Sequence, residues 1–282
     1  MFRQTFAPVA ATRMPRETAT ALTVSQDATS SHPGCVALLD ATTIIRMNSR
    51  TECVLVRESI TEIVNGRYAG GLVAAYFDPR RGFAGELFDG LDPDGLLSDN
   101  PIGRFTVDDI AATSLLDVRF GPTAVREVLG SAAIRASLAS VPHQVNLWDA
   151  SGEDLRNATE LWNLIREITG VGRTRASKLL ARKRPRLVPV VDSVIAHALH
   201  LRKETWRPLA AILSDRHLRE AIDDLRPTWV SEGISTLRLL DVVTWMSYSR
   251  STAAVSVQVE LGAPPARIIP RPPFSKLGAR LV

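Results

Sequence analysis

The stretch that most restricts the fold of this chain is LIREITGVGRTRASKLLARKR, from Leu164 to Arg184. Ahead of it, Leu155, Ala158, Leu161, Trp162, Ile165 and Ile168 recur at helical spacing, so an amphipathic helix is predicted over about 153–168. Behind it, Arg173–Lys183 reads as a second helix. Only Gly170-Val171-Gly172 separates them, which leaves room for a very tight turn. Glycine supplies the positive φ angles and the close backbone approach that such a turn uses. Val171 is placed to plug the gap between the helices. Ala176 is small enough to let them cross closely, and Leu179 and Leu180 point back to a core.

The rest of the chain repeats the helical period. Ile60, Ile63, Val64, Tyr68, Leu72, Ala75 and Tyr76 predict a helix over about 58–77, weakened by Gly66, Gly70 and Gly71. Thr106 and Asp109 form a capping-box variant that opens a helix in FTVDDIAATSLLDV, with Phe105 and Ile110 as a staple. Further helices are predicted over about 122–129, Ala132–Ala139, 193–201, 206–214, 217–225 and 234–247. The last, with LRLLDVVTWM, is apolar nearly all round and belongs at the centre of the core. The fold class is all-α: one helical domain over about 55–250. Residues 1–34 and the Pro/Arg-rich stretch from Thr252 to Val282 read as disordered tails, and DPDG at 92–95 reads as turns.

Composition narrows the setting. Lys and Arg number 34 against 30 Asp and Glu, a formal charge of +4. This balance suits a nucleic-acid partner without requiring one. The two cysteines, Cys35 and Cys53, are too few for a four-cysteine metal site or a disulfide framework, and they fit a reducing, cytoplasmic setting. No apolar run approaches the roughly 18 residues of a membrane helix. No phosphate-binding loop, dinucleotide fingerprint, G-x-S-x-G or H-E-x-x-H is present. No cofactor or metal is called for, and the oligomeric state is not legible.

What remains is the charge on the hairpin. Backbone N–H groups at the start of the second helix are unpaired within it, and the helix dipole makes that end partially positive. An anion is favoured there. Arg173 and Arg175 in the first turn, with Thr174 between them and Lys178 behind, add to the site, although cations there work against the helix dipole. That local cost makes sense beside an external polyanion. Gly170, Val171, Gly172, Arg173, Thr174, Arg175 and Lys178 are therefore the candidate DNA contacts. Arg182, Lys183, Arg184 and Arg186 are expected to extend the positive surface.

Asp192 follows an apolar loop, Leu187 to Val191, and stands 20 residues beyond Gly172. It has two readings: the N-cap of the next helix, or a catalytic carboxylate. Asp241, inside the apolar last helix, is either a buried carboxylate satisfied by an arginine or a site residue. His197 and His200 share a helix face without a third ligand and read as packing or surface residues. Trp206, Trp229 and Trp245 are expected in the core, although an exposed Trp or Tyr could stack on a base rotated out of the stack.

The pattern Ile168, Gly170-Val171-Gly172, Ala176 resembles the helix-hairpin-helix motif. With VPVVDSVI it is similar to the helix-hairpin-helix DNA glycosylase superfamily, whose essential Asp lies at a comparable distance from the hairpin, after a VPVD-like loop. The resemblance implies DNA binding, an extruded base and Asp192 as the catalytic residue of a monofunctional N-glycosylase. Thr169 stands where that superfamily usually has proline. Thr174 occupies the position of the Schiff-base lysine of the bifunctional members, so lyase chemistry through that lysine is not implied. The alternative is a DNA-binding module of the same fold without chemistry, and a weaker one is an interaction protein that recruits partners through its basic tail. Over YFDPRRGFAGELFD, FTVDDIAATSLLDV, ASKLLARKRPRLVPVVDSV and LRLLDVVTWM the chain also resembles an actinobacterial domain-of-unknown-function family, number 6308, which implies no activity.

Overall fold

A computed structural model describes residues 41–90, 100–201 and 206–263. The expectations for residues 1–34, for the turns at 92–95, for Cys35 and for most of the C-terminal tail lie outside these residues. Among the described residues there are twelve α-helices and no strand, and no helix is long and apolar enough to cross a membrane.

The first two helices are α1 (Ala41–Val64) and α2 (Ala69–Tyr76). They replace the single helix expected over 58–77. Asn65-Gly66 stops α1, and the chain turns before Ala69. The apolar period runs through the break because both helices bury the same side: Ile60, Ile63 and Val64 before it, Leu72, Val73, Ala75 and Tyr76 after it.

Then come α3 (Val107–Ser114), α4 (Pro122–Gly130) and α5 (Ala132–Ala139). The capping box of α3 is formed as expected: the Thr106 N–H donates to Asp109 at 2.8 Å, and the Asp109 N–H donates to Thr106 Oγ1 at 3.4 Å. Helices α6 (Gly152–Arg166) and α7 (Arg173–Lys183) form the hairpin. Ser151 and Asp154 make a second capping box at the start of α6, which the sequence reading passed over.

The chain closes with α8 (Ser193–Ala198), α9 (Trp206–Leu213), α10 (Arg216–Asp223), α11 (Thr236–Tyr248) and α12 (Thr252–Glu260). Helix α11 is central, as its composition demanded, and packs against α1, α2, α8, α10 and α12. Helix α7 packs against α3 and α6. A continuous apolar core runs from Val56 to Val257.

Two expectations fail here. The stretch after Thr252 is helical where disorder was expected. Ser251 caps α12, Ala254 and Val257 bury themselves, and Gln258 donates to the Met246 and Ser249 carbonyls at 2.7 and 3.2 Å. Trp229, expected in the core, is 63% exposed in the turn before α11. Trp206 is buried, and Trp245 is half-buried.

Candidate functional site

The turn between α6 and α7 is closed by the Val171 N–H, which donates to the Ile168 carbonyl at 2.9 Å. Gly170 sits at φ +83°, the left-handed region where a side chain is strained. Gly172 does not: it is the N-cap of α7 at φ −87°, ψ 179°, ordinary extended backbone. Only one of the two glycines is thus required by backbone conformation. Val171 is buried as the expected plug.

Gly172 offers no side chain to the first-turn N–H groups of α7. Thr174 is half-buried beside them. Arg173 is half-buried, and burial, with Arg166 nearby, lowers its pKa. Arg175 turns inward and donates to the Gly170 carbonyl at 2.8 Å, bracing the turn.

The remaining cations are not where the sequence reading put them. Lys178 is only 7% exposed and donates to the Leu116 carbonyl at 2.6 Å. Arg182 donates to the Phe88 and Asp89 carbonyls at 2.7 and 2.6 Å. Lys183 lies 2.7 Å from the buried Asp109, and burial lowers its pKa despite that partner. Arg184 donates to the Val141 and Leu138 carbonyls, both at 2.8 Å, and burial pushes its pKa down to about 10. These side chains satisfy carbonyls at the ends of α3 and α5 and at Phe88 and Asp89, after α2. Only Arg186 of the expected extension is exposed.

Asp192 is positioned by the loop before it. Leu187, Val188, Val190 and Val191 are buried. Ser177 on α7 clamps the loop: its hydroxyl donates to the Val191 carbonyl at 2.9 Å and accepts from the Val191 N–H at 3.1 Å. Asp192 then caps α8, its Oδ1 accepting from the Val194 and Ile195 N–H groups at 2.9 and 3.0 Å. Its Oδ2 lies 3.6 Å from Lys178 Nζ. One oxygen therefore serves the helix while the other faces a cation.

Asp192 belongs to the wall of a cavity of about 260 Å³. Lys178 and Asp192 form one side, Arg238 and Asp241 of α11 another. Tyr76, Phe83 and Trp245 supply aromatic surface: Tyr76 and Phe83 stack at 5.3 Å, and Trp245 meets both edge-on. Asp117, on the rim, holds φ +58°, a strained backbone for a non-glycine residue.

Arg238 is buried and heavily partnered. It pairs with Asp89 at 2.7 Å and with Asp241, and donates to the Tyr76 hydroxyl and the Gly85 carbonyl, both at 2.8 Å. Gly85 is needed for this approach, because a Cβ there would collide with the Tyr76 hydroxyl. Burial pushes the Tyr76 phenol up to about 12, against the nearby Arg238. Burial also pushes Asp241 up to about 6, opposed by Arg238 and reinforced by the charge of Asp192. The expected Asp241–arginine pair is present, and Asp241 is a cavity residue as well.

A family model described as a family of unknown function, DUF6308, matches residues 69–248. The chain belongs to this family. No curated protein and no solved structure matches it significantly. The family stretch holds α2 through α11 and every cavity residue named above. Ser251 and Ala253, which complete the wall from α12, lie outside it.

Sequence reasoning found Asp192 and missed most of the cavity around it. Tyr76, Phe83 and Arg238 are scattered along the chain, and no spacing connects them. The one available signal was a charged pair, Arg238 and Asp241, inside an otherwise apolar helix. His197 and His200 do not line the cavity, and no group of three or more potential metal ligands exists among the described residues.

Proposed function

We propose that this chain binds DNA through the α6–α7 hairpin and holds an extruded base in the Asp192 cavity, where Asp192 assists cleavage of the N-glycosidic bond. One observation carries the reading: Asp192 spends Oδ1 on capping α8 and keeps Oδ2 toward Lys178 in an aromatic-walled cavity. A volume of about 260 Å³ lies just below the roughly 300–1,000 Å³ of drug-sized ligand pockets. It suits a small flat ring system. An extruded base is recognised by aromatic contact and a few polar groups. The sequence resemblance to helix-hairpin-helix glycosylases points the same way.

In this mechanism the sugar develops positive charge as the bond to the base lengthens, and the Asp192 carboxylate stabilises it. Water adds at C1′, and Asp192 takes its proton. Outside the cavity, the hairpin grips phosphate through the N–H groups of the first turn of α7 and through Arg173. Lys178 is withdrawn from the phosphate contacts and assigned to holding Asp192. Arg175 acts through the Gly170 carbonyl.

The test is base release from a panel of damaged and modified duplexes, with Asp192→Asn as control and DNA affinity followed across salt. Release by wild type, its loss in Asp192→Asn and retained affinity support the reading. Salt-sensitive binding without release favours a non-catalytic module, a reading the double cap at Oδ1 also fits. An unchanged affinity and salt slope in Arg173→Ala argues against the hairpin grip.

A further inference from the structure

We infer that Asp241 is a second catalytic carboxylate in the cavity, the acid that delivers a proton to the departing base. The inference rests on the reading of the cavity as a base-excision site. It stands first on placement. Helix α11 packs against α8, so Asp241 reaches the cavity from the wall formed by α11, while Asp192 reaches it from the start of α8. Both line one space with the aromatic residues, so a base seated there lies within reach of both.

The two carboxylates have unlike partners. Asp192 accepts two backbone N–H groups and faces an ammonium, an arrangement that suits a charged acceptor. Asp241 is 6% exposed, and its cation is shared. Arg238, on the same helix, also serves Asp89, the Tyr76 hydroxyl of α2 and the Gly85 carbonyl. From the other elements, Lys178 of α7 lowers the pKa of Asp241, and Asp192 raises it. Burial outweighs the attraction to Arg238, so the carboxyl stays protonated to about pH 6. A buried carboxyl that keeps its proton longer suits acid work, beside a carboxylate already held in place to accept one.

The step balances. The C1′–N bond breaks, and its electron pair goes to the base nitrogen, which takes the Asp241 proton. Water supplies hydroxide to C1′ and gives its proton to Asp192. Transfer of that proton through solvent to Asp241 restores the site. The net reaction is hydrolysis, with no oxidant or further co-reactant.

The experiment compares wild type with Asp241→Asn on two duplexes across roughly pH 5 to 8. One carries a neutral base, which must gain a proton to leave. The other carries an N7-alkylated purine, which is already cationic and leaves without one. For wild type, release of the neutral base should fall as pH rises through about 6. Asp241→Asn should slow that release by about 100-fold or more and leave release of the cationic base within a few-fold. Equal loss on both duplexes in a folded variant, or no loss on the neutral base, overturns the role of Asp241 while the excision reading stands. Absence of release by wild type on both overturns the excision reading and the acid with it. If Asp241→Asn does not fold, an infrared titration of wild type decides. A carboxylic acid band that persists above pH 5 and disappears near 6 supports the assignment, and no such band overturns it.

Discussion

Two carboxylate–cation pairs line the cavity, and they are built differently. Asp192 and Lys178 lie 3.6 Å apart, and each has backbone partners of its own. Asp241 and Arg238 are in close contact inside the core, where Arg238 also holds Asp89, Tyr76 and Gly85 together. In the first pair Asp192 is anchored by the chain beside it, and Lys178 by the Leu116 carbonyl just beyond α3. The second is a junction that joins α2, the turn after it and α11. The same pairing of charges thus positions one carboxylate and buries another, because backbone partners and solvent access differ.

The largest effect should come from cutting the junction. Arg238→Met leaves Asp89 and Asp241 buried without their cation and should cost about 3–5 kcal/mol in a urea titration. Lys178→Met leaves Asp192 with its two N–H partners and some solvent, and should cost about 1–2 kcal/mol. Equal losses would break the distinction between the junction and the Asp192–Lys178 pair.

Gly85→Ala probes the junction without removing charge. The added Cβ forces the Tyr76 hydroxyl off Arg238, and overpacking of this kind costs about 1–3 kcal/mol. Thermal unfolding should shift accordingly, while the Asp192 cap, on other elements, stays formed.

The junction can also be probed by pH through Asp241. The pKa of Asp241 is raised in the folded state from 3.8 to about 6, so between these values the folded chain holds a proton that the unfolded chain has released. Its contribution is fully present below the unfolded value and is lost as pH rises through about 6. Asp241→Asn should therefore flatten the fall in stability between about pH 4 and 6 expected for wild type. A denaturation series across that window checks the sign.

The smallest effects belong to the cap. Asp192→Ala should cost about 1 kcal/mol, and Asp192→Asn close to nothing, since Asn caps as well as Asp. A large loss with Asn would mean that the Lys178 charge contact, rather than the cap, holds the loop.

Much of the helical layout was legible, and the exceptions are instructive. The start of α3 was readable because its cap uses residues three apart. The break between α1 and α2 was hidden because the apolar period continues across it. The second half of the basic run looked like a surface. Sequence counts charges, but it does not show that Lys183 meets Asp109 or that Arg184 reaches the carbonyls ending α5.

By itself the sequence determined most of the helices, the tight hairpin and the place of Asp192 at the start of the next helix, because these depend on side-chain period, glycine and residues a few positions apart. Only the tertiary structure decided that Lys178 faces Asp192, that Arg238 is the junction and that Asp241 reaches the same cavity. Those outcomes depend on which helices pack together, and on whether a buried charge finds its partner near in the chain or far from it.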